Sequence, residues 1–184
     1  SIEQSLYSWQ ARTPVFEFVP WLPVHEVVQP PKEQAALWIG RADAAHLKGL
    51  DLAVRAMARL PTATPILYVR GVAAPDAEPL QARLDSLSGR KVEVRLREYT
   101  PESEPIEASF RRAAVVLMPS RAEGFGLVGL EAIARGIPVL VSSESGLAEL
   151  LHRHGGEPGR AAIVPVSQDA DETTERLYQK LRPL

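Results

Sequence analysis

Two glutamates, Glu123 and Glu131, have seven residues between them, the turn-forming string Gly124-Phe125-Gly126 and the apolar run Leu127-Val128-Gly129-Leu130. These residue types in this order suit anion chemistry. Glycines tolerate positive φ and let backbone N–H groups approach an anion closely. A helix beginning near Leu127 adds unsatisfied donors and a favourable dipole at its N-terminus. Glu131 then lies one turn inside that helix, about 6 Å further along its axis, within reach of ribose hydroxyls. Glu123, just ahead of the glycines, can accept from hydroxyls on the far side of the phosphates. Phosphates flanked by two polyols describe a sugar nucleotide.

A second group of residues complements the first. Ile39-Gly40-Arg41 closes an apolar run and Lys48-Gly49-Leu50-Asp51 opens a helical one. Arg41 and Lys48 in one cleft would neutralise a diphosphate, the arginine as a bidentate fork and the lysine as a point charge.

The glycines also satisfy a competing template. Gly124-x-Gly126-x-x-Gly129 is a literal dinucleotide fingerprint, with Glu144 about 18 residues beyond Gly126. In that fingerprint the first glycine falls at the end of the strand, whereas Ser120–Glu123 intervene here. The fingerprint usually opens a domain, and here three strand–helix units precede it. A carboxylate at Glu123 would also repel a pyrophosphate that brings no polyol. An NAD(P)-dependent oxidoreductase is therefore the less favoured reading.

These loops need a scaffold. Short apolar runs at Ala36–Gly40, Ile66–Val69, Val92–Leu96, Ala114–Met118, Ile137–Val141 and Ala162–Val164 read as strands. Between them, Leu50, Ala53, Val54, Met57 and Leu60 recur at helical spacing, as do Ile106, Phe110 and Ala113. Leu127–Arg135 is a short helix stopped by Gly136 and Pro138. Strands alternating with helices predict an α/β domain, a doubly wound parallel sheet over residues 35–184. In such sheets ligands bind beyond the carboxyl ends of the strands, where both groups of residues fall. Residues 1–34 carry Pro14, Pro20, Pro23, Pro30 and Pro31, which forbid helix interiors and central strands. That segment reads as an extended linker, held to a surface by Phe16, Phe18, Val19, Trp21 and Leu22.

The string PSRAEGFGLVGLEAIARGIPVLVSSESGLAELL closely resembles the signature of retaining GT-B glycosyltransferases of group 1, the family 4-like enzymes. The two glutamates and Gly-Phe-Gly carry the likeness. It continues through Ala134-x-Gly136-x-Pro138-Val139 to Ser145-Gly146 and Glu149, and more weakly over Leu37 to Leu151. The resemblance implies a Rossmann-like C-terminal lobe that binds the donor, a nucleotide sugar, without metal or other cofactor. It implies that Glu123, Gly124, Phe125 and Gly126 meet the donor sugar. Leu127 and Val128 meet the phosphates, and Glu131 holds the ribose. Arg41 and Lys48 match the family's Gly-Arg and Lys-Gly pairs, which with Glu123 form the implied catalytic set, although the loop between them is about two residues longer than usual. Tyr99, in Arg97-Glu98-Tyr99-Thr100-Pro101, aligns with the segment that borders the base. The family also uses an N-terminal acceptor-binding lobe, which residues 1–34 are too short to supply. The chain begins at Ser1, as an excised piece would. The expectation is thus a hexosyl-transferring domain that binds donor but turns over poorly alone. A non-catalytic module sensing sugar nucleotides within a larger protein is the alternative.

Composition excludes other classes. With 21 Lys+Arg against 23 Asp+Glu, the net charge of −2 gives no field for nucleic acid or anionic membrane. The absence of cysteine excludes disulfides, thiolate metal sites and a cysteine nucleophile. Asp169-Ala170-Asp171 reads as a helix cap and not a metal–diphosphate motif. His152 and His154 read as the end of a helix. No apolar run approaches the roughly 20 residues of a membrane span, and no export signal is recognisable, so the cytoplasm is the expected compartment.

Overall fold

Side-chain alternation along six short strands sorts the apolar residues onto two faces of one sheet. The computed structural model describes residues 20, 27–29, 31, 33–62, 64–98 and 106–183. Its strands are β1 (Ala35–Ile39), β2 (Ile66–Val72), β3 (Glu93–Glu98), β4 (Val115–Met118), β5 (Val139–Ser142) and β6 (Ile163–Val164). All pair in parallel, in the order β3-β2-β1-β4-β5-β6. The helices among the described residues are α1 (Leu50–Met57), α2 (Ala74–Ser88), α3 (Ile106–Arg111), α4 (Leu127–Ile133), α5 (Gly146–His154), α6 (Gly156–Ala162) and α7 (Ala170–Leu181). A 3₁₀ turn spans Ala42–Ala44.

Successive residues of a strand face opposite sides, and the core divides accordingly. Ala36 and Trp38 of β1, Leu67 and Val69 of β2, and Val115 and Leu117 of β4 pack with α1, α2 and α7. Ala35, Leu37, Val116 and Met118 face the other way, against Phe110 of α3, Ala132 of α4 and Leu147 of α5. The four inner strands, β2, β1, β4 and β5, are thus buried on both sides, as a parallel sheet with helices on both faces requires, while the edge strand β3 is half-exposed.

All six expected strands are present, with ends displaced by at most three residues. The longest described helix, α2, was not among the stretches read from the sequence. It carries Pro79 in its interior and buries only Leu80, Leu84 and Ser88, so its apolar stripe is narrow and its charged face dominates. Of residues 1–34, most lie outside the described set, including Phe16, Phe18, Val19, Trp21 and Leu22. Where that segment is described, the Val28 N–H donates to the Arg135 carbonyl at 2.9 Å.

The strand order reverses direction at β1. Chain-consecutive strands run outward to β3 on one side, and β4 restarts on the other side of β1. The loops leaving β1 and β4 therefore emerge side by side, at the crevice where doubly wound sheets bind ligands. The two loops touch at Gly49, the residue before α1, whose φ is +71°. A Cβ there would stand 2.0 Å from the Pro119 carbonyl oxygen. Gly89 also has positive φ, +57°, but a Cβ there meets nothing within 4 Å.

The pair separates backbone strain from loop contact. Gly89→Ala should cost about 1 kcal/mol for its left-handed backbone alone. Gly49→Ala should cost about 3 kcal/mol or more, because overpacking adds to that strain. Urea denaturation of the two variants checks this; equal losses would mean the loops do not meet as described.

Candidate functional site

Lys48 is fixed by its backbone before its side chain does anything. Its N–H donates to the Ala44 carbonyl at 2.8 Å. Its carbonyl accepts from the Trp38 indole Nε1 at 3.2 Å. Trp38 is fully buried, and its ring passes so close to Gly40 that a Cβ there would lie 2.5 Å from it. The loop leaving β1 is thereby seated on the core, with the Lys48 ammonium extending from a fixed root.

That ammonium meets Glu123 at the exit of β4, Nζ to Oε1, at 2.7 Å. The same oxygen accepts from the Gly124 N–H at 3.2 Å, and Oε2 accepts from the Ser120 hydroxyl at 3.0 Å. With side chains 30% exposed for Lys48 and 13% for Glu123, the pair is shielded but reachable from solvent. Three donors on one carboxylate fix its orientation. It could accept sugar hydroxyls in place of the lysine.

The glycine loop is stitched to the next helix. The Gly124 carbonyl accepts from the Gly146 N–H at 2.9 Å and the Phe125 carbonyl from the Leu147 N–H at 2.7 Å. Ser145 caps α5, accepting from the Ala148 N–H at 3.1 Å and donating to the Ser142 carbonyl at 2.8 Å. The first-turn amides of α5 thus occupy the loop carbonyls. Gly126, at φ +97°, turns the chain into α4. Leu127 opens that helix with its side chain about half exposed, and Val128 follows, partly buried.

Glu131 is one turn along α4 and partly buried. Its carboxylate has no partner among the described residues, while its carbonyl accepts from Arg135 at 2.8 Å. Arg135 also donates to Glu107 at 2.9 Å and lies 4.7 Å from the centre of the Phe110 ring, pinning the end of α4 to α3. Arg41 is not brought to the other site residues. Its guanidinium is 80% exposed and pairs with Asp43 at 3.2 Å. Tyr99 lies outside the described residues.

Three residues that motif spacing did not reveal complete the arrangement. Ser120 orients Glu123. Arg121 donates to both carboxylate oxygens of Asp51, each at 2.8 Å. Asp51 is buried at the start of α1. Burial pushes its carboxyl up, but the hydrogen bonds and charge of Arg121, with the charge of His46, outweigh this and hold it below its ordinary value. Only the acidic first turn of α1 hinted at Asp51, and nothing in the spacing pointed to Arg121 as its partner.

The remaining motifs fall as structural features. Asp169 caps α7 through the N–H groups of Asp171 and Glu172. His152 and His154 occupy the last turn of α5. No cluster of three or more His, Cys, Asp or Glu suited to a metal occurs among the described residues. None of the described helices is long and apolar enough to cross a membrane. A cavity of about 560 Å³ lined by Ala58, Arg59, Leu60, Thr62, Pro65 and Lys91 sits at the amino ends of the strands, opposite the crevice.

The doubly wound parallel sheet is that of a GT-B type domain, of the group 1 or family 4 glycosyltransferases. The chain matches, over residues 1–184, the family described as "Family 4 Glycosyltransferase in conflict systems", and it belongs to that family. It is 39% identical over 145 residues to D-inositol 3-phosphate glycosyltransferase 1 of Catenulispora acidiphila, covering 70% of this chain and 34% of that one. Sucrose-phosphate synthase from Thermosynechococcus elongatus superposes with a TM-score of 0.66 at 25% identity, over 98% of this chain and 47% of its own. The pneumococcal O-GlcNAc transferase GtfA, solved with UDP and GlcNAc, superposes with a TM-score of 0.68 at 16% identity, over 98% and 35%. The matched part of the chain spans 26% to 34% of the length of the curated relatives it matches.

Because the carboxyl of Asp51 is depressed by folding, its contribution is complete above the unfolded value of 3.8 and lost as pH falls through the lower folded value. Asp51→Asn should therefore cost about 2 kcal/mol at neutral pH, and the gap to wild type should close well below pH 3.8. Melting temperatures of both proteins across that range test it; a gap that persists in acid would remove the ion pair as its cause.

Proposed function

We propose that this domain binds the nucleotide-sugar donor of a retaining, metal-independent hexosyltransferase. The observation that carries the reading is the Lys48–Glu123 contact of 2.7 Å across the β1/β4 crevice. A cation and a hydroxyl-binding carboxylate meet there beside a glycine loop and the start of a helix. A diphosphate would draw Lys48 away from Glu123, and the freed carboxylate would accept hydroxyls of the sugar. Glu131, whose carboxylate has no described partner, would take the ribose. Arg41, exposed and paired among the described residues with Asp43, would turn toward the diphosphate.

In this mechanism an acceptor hydroxyl oxygen bonds the anomeric carbon on the face from which the diphosphate departs, so configuration is retained, and the hydroxyl proton passes to the departing phosphate oxygen. Lys48, Arg41 and the amides near Gly126 and Leu127 stabilise the charge that develops on the leaving diphosphate. Such preorganised electrostatic stabilisation is commonly the largest contribution to catalysis. No protein nucleophile is assigned. The UDP and GlcNAc present in the structurally similar pneumococcal transferase support a sugar nucleotide as ligand. Base, sugar and acceptor are left to experiment. The acceptor would bind a second lobe, so these 184 residues should bind donor while transferring it poorly.

Calorimetric titration with ADP-, GDP- and UDP-sugars, beside NAD and NADP, tests the assignment. One nucleotide sugar should bind, and Glu131→Ala should weaken it by about tenfold to a hundredfold, the loss of hydrogen bonds to a charged group. Tighter binding of NAD that ignores Glu131 would replace this reading with the oxidoreductase. Glu123→Gln supplies a second arm. It should weaken the nucleotide sugar yet leave the bare nucleoside diphosphate bound at least as tightly as in wild type, since Lys48 is released from its partner. Equal losses for both ligands would contradict the division of roles. Measurable hexosyl transfer by the chain alone, at rates typical of complete enzymes, would overturn its dependence on a second lobe.

A further inference from the structure

One side chain holds both loops of the crevice at once. Arg121 lies two residues before Glu123 in the loop leaving β4. Its guanidinium donates to Oδ1 and Oδ2 of Asp51 at 2.8 Å each and to the His46 carbonyl at 2.6 Å. Its backbone N–H donates to the Leu47 carbonyl at 2.8 Å. Every one of these acceptors belongs to the loop leaving β1 or to the first turn of α1. In sequence they flank Lys48 on both sides.

The chemistry suits a fixed strap more than a ligand contact. The planar guanidinium fork matches a carboxylate in two parallel hydrogen bonds, which sets distance and angle together. Asp51 is 11% and Arg121 23% exposed at the side chain, so the pair is largely withdrawn from solvent screening. With its donors committed to Asp51 and His46, the guanidinium is occupied within the protein. His46 contributes its carbonyl to the strap, and its Nδ1 lies 3.7 Å from Asp51.

We propose that Arg121 is a positioning residue for the diphosphate-binding pair. By locking residues 46–51 onto the loop leaving β4, it sets the separation of Lys48 and Glu123 without touching the ligand. The identity of that ligand rests on the function proposed above; the mechanical linkage does not.

The test has two parts, both on the whole chain. Without ligand, amide hydrogen exchange in residues 44–50 should accelerate by about tenfold or more in Arg121→Gln, while amides of β5 keep their wild-type protection. With ligand, UDP, ADP and GDP are titrated by calorimetry. Arg121→Gln should weaken the best-bound of the three by about tenfold, and Arg121→Lys should restore only part of the loss. In a Lys48→Ala background, adding Arg121→Gln should cost less than about twofold, because a residue acting through Lys48 is silent once Lys48 is gone. Asp51→Asn cuts the strap from the other side and serves if the arginine variants fold poorly. Unchanged exchange in the loop, or full additivity with Lys48→Ala, would overturn the inference. A wild-type chain that binds none of the three diphosphates would instead sink the proposed function and the ligand half of this inference, with the exchange result still deciding the linkage.

Discussion

Everything at the crevice depends on two chain segments, 75 residues apart at Lys48 and Glu123, leaving adjacent parallel strands at the same end of the sheet. A parallel sheet sends all its exit loops to one end. Only where strand order reverses do two neighbouring loops diverge enough to leave a crevice. Here β1 and β4 make that junction, and Gly49 lies against the Pro119 carbonyl. A side chain at Gly49 would separate the loops, and Lys48 and Glu123 with them.

Around that contact the polar groups are arranged in a hierarchy. Backbone bonds to Trp38 and Ala44 root Lys48 in the core. The Arg121–Asp51 pair joins the loops, and α5 anchors the glycine loop by its carbonyls. In the proposed function the outermost groups, the Lys48 ammonium, the Glu123 carboxylate, Glu131 and Arg41, are those that exchange partners. Rigid support beneath a few exchangeable charges is what electrostatic stabilisation of a leaving anion requires, since donors fixed in advance cost no reorganisation during reaction. The membership of the chain in a family 4 glycosyltransferase family agrees with such an arrangement. The chain covers 26% to 34% of its relatives' length, and the residues described here build a single lobe.

The inner strands β1, β2, β4 and β5 were readable because they are short, mostly apolar runs buried on both faces, which leaves little room for other patterns, whereas the edge strand β3 shows itself by alternating Val94 and Leu96 with charged residues. Helix α2 was harder to read: its prolines, including Pro79, and its mostly polar surface conceal a stripe formed by Leu80 and Leu84. At the crevice, Glu123, Gly124, Gly126 and Glu131 stood out because all lie within nine residues and their spacing carries a mechanism. Arg121 lay two positions away and did not, since its meaning resides in a partner 70 residues distant. Arg41 illustrates the converse. Its position in the chain suggests a shared cleft with Lys48, while its side chain rests on Asp43, the acid two positions along.

Sequence by itself determined the alternation of strands and helices, the glycine loop before α4 and the acid–glycine–acid chemistry of Glu123 to Glu131. These are local properties, set by residue type and by separations of a few positions. Tertiary structure decided which cation faces which carboxylate, that Trp38 and Gly40 root the Lys48 loop, and that Arg121 binds this loop to its neighbour. Ion pairs across a crevice depend on strand order and register, which bring distant segments within 3 Å of each other. No local pattern encodes a distance between loops that meet only after the sheet has formed.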